Sequence, residues 1–84
     1  MYLYRAVSES LFCEEVGSYV SYGIELTRDG KIIDHVSDVT RDERMAHSLA
    51  ALFNLHQLSP IHFHDAIDDF LFDNKPDLQH MEDP

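Results

Sequence analysis

Eighty-four residues leave room for one domain, and 44% of them are apolar, as in ordinary globular proteins and unlike disordered chains. Sixteen acidic side chains against six basic ones give a formal charge of -10, which repels phosphate and excludes nucleic acid and anionic membrane as partners.

In chain order, the first half alternates. YLYRAVSESLFC (2–13) reads as extended, with no helix cap and with Leu3, Val7 and Leu11 at mixed spacing. A connection over Glu14–Ser18, containing Gly17, leads to a second strand. Along this strand Val20, Tyr22, Ile24 and Leu26 point one way and Ser21, Gly23 and Glu25 the other. Asp29-Gly30 makes a turn and KIIDHV resumes the extended chain. A two-residue loop would set Glu25 against Asp34, a like-charge pair. A type I turn over Arg28-Asp29 with Gly30 left-handed pairs Leu26 with Ile32 and Tyr22 with Val36, and this register is preferred, although it turns Asp34 toward the apolar face.

The second half changes period. Thr40 and Glu43 have the spacing of a capping box, and Met45, Leu49, Leu52, Phe53 and His56 then share one helical face. Ser59-Pro60 restarts the pattern as N-cap and first helical residue, and Phe63, Ala66, Ile67, Phe70 and Leu71 form a second stripe. Asn74-Lys75-Pro76 stops it. The predicted fold is α+β: a three-stranded antiparallel meander over 2–37, then helices near 41–56 and 60–72 packed on one face (βββαα). Residues 1–74 form the domain and 75–84 an acidic mobile tail.

Within SPIHFHDAIDDF (59–70), His62, Asp65 and Asp69 gather on the side of the helix away from the stripe, at a spacing that presents an imidazole and two carboxylates to one metal ion. Completing the shell requires His64 with Asp68, or His35 from the hairpin. A solvated acidic helix start explains the same residues more simply, because carboxylates favour the partly positive helix N-terminus. Ile61 and Phe72 fall outside the apolar stripe and, with Asp65 and Asp68, outline an interaction surface.

Other chemistry is poorly supplied. The single Cys13 excludes an internal disulfide and a cysteine-rich zinc site, and with no basic neighbour it reads as inert core. No serine lies in a nucleophile elbow, and the three glycines are isolated, so no phosphate-cradling loop exists. No apolar run approaches the roughly 20 residues of a membrane span, and the N-terminus lacks a secretory layout, which together favour the cytoplasm.

YGIEL (22–26), DVTRD (38–42) and LSPIHFHDAIDDFL (58–71), in this order, resemble a family of short uncharacterised bacterial proteins from clostridia-like Firmicutes. The resemblance covers about residues 19–71. His62, Asp65 and Asp69 match its helix motif, whereas His64 and the tail do not. It implies the domain and its layout, and no activity, ligand or cofactor.

The leading expectation is therefore a non-enzymatic protein-interaction or regulatory domain with a protein partner and no cofactor. A metal-binding domain built on His62, Asp65 and Asp69 is the alternative, and an acidic nucleic-acid mimic for a basic protein a second. Self-association as a homodimer would supplement the modest stability of so small a core.

Overall fold

A computed structural model describes residues 1–73. Three antiparallel strands, β1 (Tyr2–Cys13), β2 (Gly17–Arg28) and β3 (Lys31–Thr40), form one sheet in the order β1-β2-β3. Helix α1 (Glu43–Leu55), a 3₁₀ turn (Pro60–His62) and helix α2 (Phe63–Asp73) follow. The expected βββαα arrangement is the one observed. The tail assigned to 75–84 and the stop at 74–76 lie outside the described residues.

The β2–β3 hairpin corrects the expected register. Asp29 and Gly30 both have positive φ (51° and 87°), a two-residue primed turn, so Arg28 pairs with Lys31 and Thr27 with Ile32. A register shift between Leu26 and Thr27 then leaves Ile33 as the extra residue of a bulge. Leu26 consequently faces Asp34, Glu25 faces His35 and Ile24 faces Val36. The bulge removes the charge conflict that made the two-residue loop look unfavourable, because it moves a histidine opposite Glu25. A second irregularity carries β3 on until Tyr22 faces Thr40, with Asp38 at φ 55°.

At the start of α1 the cap is Asp42, not Thr40. Asp42 Oδ1 accepts from the N–H groups of Arg44 (3.0 Å) and Met45 (3.2 Å), while Thr40 ends β3 and its hydroxyl accepts from Asp42 N. The buried face of α1 is also rotated from expectation: it is Ala46, Leu49, Ala50 and Phe53, whereas Met45, Leu52 and His56 are exposed. Two small alanines let the helix approach the sheet closely, and hydrophobicity alone ranked the bulkier neighbours above them. Ser59 precedes the 3₁₀ turn as its N-cap but makes no side-chain cap bond.

The core gathers Tyr4, Ile24, Leu26, Val39, Leu49, Ala50, Phe53, Phe63 and Ile67. Phe70 and Tyr22 were expected inside but are only half-buried, and Val20 is exposed. The reason is length. A strand of 12 residues extends about 40 Å and a helix of 13 about 20 Å, so the helices cover only part of the β1–β2 hairpin. Beyond them, Phe12 and Val20 stand on the helix side of a bare arm.

Three tethers fix the helical half to the sheet. Asn54 accepts from Tyr4 N and donates to Tyr4 O (2.8 Å each), closing the outer edge of β1 at that point. The Tyr4 hydroxyl donates to Leu58 O at 2.6 Å. His64 Nε2 lies 2.8 Å from Asp34 Oδ2 and fastens α2 to β3.

Burial raises the Tyr4 hydroxyl above the usual tyrosine value, with the Asp34 carboxylate and Tyr2 adding to it. A raised folded-state pKa contributes stability that is complete below the unfolded value of about 10 and is lost as pH rises through the folded value. The melting temperature of the wild type should therefore fall more steeply between about pH 9 and pH 12 than that of Tyr4→Phe. Parallel curves would show that Tyr4 ionises as freely folded as unfolded.

Candidate functional site

Among the described residues, only one face of the sheet carries helices. On the other, directly paired residues line up in rows, since cross-strand partners point the same way. Leu3, Thr27 and Ile32 make one row, Arg5, Glu25 and His35 the next, and Val7 with Gly23, Glu9 with Ser21 and Leu11 with Tyr19 continue it. The polar residues of the central strand are sealed although none of the described elements lies over them: Ser21 is 0% exposed, Thr27 7% and Glu25 9%. Longer side chains from the flanking strands cover them.

Arg5 places Nε and an Nη each 2.7 Å from Glu25 Oε1. Glu9 is the hub of the next rows. Its carboxylate accepts from Asp38 N (2.9 Å) and from the Ser37 hydroxyl (3.0 and 3.1 Å), and Oε2 lies 3.1 Å from His35 Nε2. Asp38 accepts from the hydroxyls of Ser21 (2.5 Å) and Tyr19 (3.1 Å), and Arg41 stacks 4.9 Å from the Tyr19 ring centre. The bond to Asp38 is the main reason the Tyr19 hydroxyl is raised above its ordinary value. A left-handed Asp38 is costly backbone geometry for a residue with a Cβ, and Glu9 and Ser21 are the groups that hold it. Gly23 sits beneath this network, where a Cβ would meet His35 Nε2 at 3.0 Å and Glu9 Oε1 at 3.1 Å.

At the end of the face nearest the β2–β3 turn, a shallow hollow of about 420 Å³ is lined by Met1, Leu3, Arg5, Thr27, Asp29 and Gly30. A second cleft of about 550 Å³ lies at the same end of the molecule, between the start of β1 and the α1–α2 connection. Among the described residues, no buried side-chain nitrogen or oxygen lacks a hydrogen-bond partner.

The residues singled out from the sequence are placed as follows. His62 is exposed in the 3₁₀ turn, and Asp65 and Asp69 are exposed on α2. Neither route to a complete metal shell through them is assembled. His64 is engaged with Asp34, and His35 lies on the opposite side of the sheet from the helices. Among the described residues, no group of three or more His, Cys, Asp or Glu side chains could hold a metal ion. Ile61 (81% exposed) lies in the 3₁₀ turn and Phe72 (58%) near the end of α2, with Asp65 and Asp68 exposed between them. Cys13 is not core: it is half-buried at the far end of β1, beside Gly17.

Glu9, Arg5 and Asp38 were not legible as a site. The alternation of Ser21, Gly23, Glu25 and Thr27 marks a polar face, but only the two register shifts bring Glu9, His35 and Asp38 together across three strands.

A family model, described as a family of unknown function (DUF6514), matches residues 1–73. The chain belongs to that family. No curated protein and no solved structure matches it. No helix among the described residues is long and apolar enough to cross a membrane.

Proposed function

We propose that this DUF6514 domain is a cytoplasmic protein-interaction or regulatory module without catalytic activity, and that the open face of its sheet meets the partner. One observation carries the reading. Among the described residues no layer lies over the face, yet it is closely organised: a hydrogen-bonded polar centre is flanked by exposed Leu3 and Ile32, at 49% and 60%. Apolar contacts beside fixed, already paired charges suit a binding surface, because little side-chain entropy remains to be lost on association. The same pairing speaks against a phosphate-like acidic array, since Glu9, Glu25 and Asp38 are each engaged by neighbours on the face.

Capture of host proteins on the immobilised full chain tests the proposal. Leu3→Asp and Ile32→Asp should each lose the retained partner at least about tenfold, while Ile61→Asp and Phe72→Asp should retain it. The reverse pattern would move the site to α2, and equal retention by all four variants would end the interaction reading for both surfaces.

A further inference from the structure

β1 is an edge strand whose two charged side chains, Arg5 and Glu9, are engaged with Glu25 and with β3 on the open face of the sheet. It pairs with β2 in an unbroken register and contains no Pro, Lys or bulge. The Asn54 bonds identify which of its backbone groups point outward: those of Tyr4, and hence of Ala6, Ser8, Ser10 and Phe12 at the same parity. Asn54 satisfies Tyr4. Among the described residues the sheet ends at β1, so the N–H and C=O groups from Ala6 to Phe12 face away from it.

We propose that this edge pairs with the same edge of a second copy, antiparallel, forming a continuous six-stranded sheet centred on Ser10. The choice of occupant and of register comes from charge and sterics. Centring on Glu9 would set two Glu9 carboxylates face to face, which is destabilising. Centring on Ser8 would bring Phe12 against Tyr4 of the second copy, where Asn54 already occupies the edge. Centring on Ser10 avoids both. It opposes Glu9 to Leu11 and Val7 to Cys13 of the second copy, so no like charges face each other within the paired segment. Three outward pairs (Ser8 with Phe12, Ser10 with Ser10, Phe12 with Ser8) then exchange about six backbone hydrogen bonds.

This arrangement also accounts for Phe12, which is 72% exposed on the helix side of the arm. Opposite Ser8 of the second copy, it reaches the edge-facing side of that copy's α1. Asn54 marks this side, and the exposed His47 and Glu43 share it at spacings of seven and eleven residues. The proposal concerns the edge of the sheet and does not depend on the reading of its open face.

Both copies carry a charge of -10, so screening should favour the pair. Sedimentation of the full chain is expected to show a dimer whose dissociation constant falls by about tenfold or more between 50 and 500 mM salt. Ser10→Pro removes only an outward N–H and should yield a monomer with an unchanged far-ultraviolet spectrum. The register is tested by crosslinking in a Cys13→Ser background. Ser10→Cys should form an intermolecular disulfide under mild oxidation, because facing Cα atoms of a hydrogen-bonded pair lie about 5.5 Å apart. Ser8→Cys, facing Phe12, should not. A wild type that stays monomeric at both salt concentrations overturns the proposal. Equal crosslinking at positions 8 and 10 overturns the register and with it the account of Phe12.

Discussion

Phe63→Ala should destabilise the domain by about 3–5 kcal/mol, the range for emptying a fully buried aromatic site. Phe63 is 0% exposed and is the first residue of α2. Its ring centre lies 5.2 Å from that of Tyr4 on β1 and 6.2 Å from that of Phe53 on α1, and Tyr4 and Phe53 meet edge-on at 5.4 Å. One side chain thus joins the sheet and both helices, and no neighbour can relax into the void without releasing another element. Phe70→Ala, at a half-buried position, should cost less, and His62→Ala, at an exposed position, well under about 1 kcal/mol. Urea unfolding of the three variants provides the check. The total stability of a domain this size is about 5–15 kcal/mol at most, so Phe63→Ala should be partly unfolded on gentle warming. A Phe63 variant no weaker than the Phe70 variant would mean that the core is centred elsewhere.

Gly23→Ala is expected to cost about 3 kcal/mol, against the usual direction of such a change. In an ordinary strand alanine is preferred to glycine because it has less entropy to lose. Here a Cβ would stand 2.6 Å from the carbonyl oxygen of Val36, and a backbone atom of an adjacent strand cannot swing aside as a long side chain does. β3 would have to retreat, and the contact of His35 with Glu9 would open with it. A thermal melt combined with the nuclear magnetic resonance signals of the His35 ring tests both parts. Unchanged stability and an unchanged His35 signal would show that the added Cβ is accommodated without any retreat of β3.

Much of the architecture is local and was therefore readable. Strict alternation from Val20 to Leu26 specifies a strand with one apolar face, the Asp29-Gly30 pair specifies a tight reversal, and the stripe from Phe63 to Leu71 specifies an amphipathic helix. These patterns depend only on the periods of the backbone, and their mutual need for burial selects helices over one face of an antiparallel sheet. The preferred hairpin register, the capping role of Thr40 and the face of α1 were read wrongly, and each for a non-local reason. The register depends on bulges that the sheet accepts in order to pair Glu25 with His35. The cap depends on how far β3 extends before the chain leaves it. The face of α1 depends on how closely Ala46 and Ala50 let the helix approach the sheet.

The open face shows the same division. Polar alternation in β2 announced a wet side, but the meeting of Glu9 with His35 and Asp38 joins residues 26 and 29 positions apart, and no spacing rule within one element reaches that far. The sequence by itself determined the elements, their order and the layer they would form, because short-range sterics and hydrophobic period act within about a dozen residues. Only the tertiary structure decided which polar groups share a site and which strand edge stays open, because both follow from register, and register is settled by the whole sheet at once.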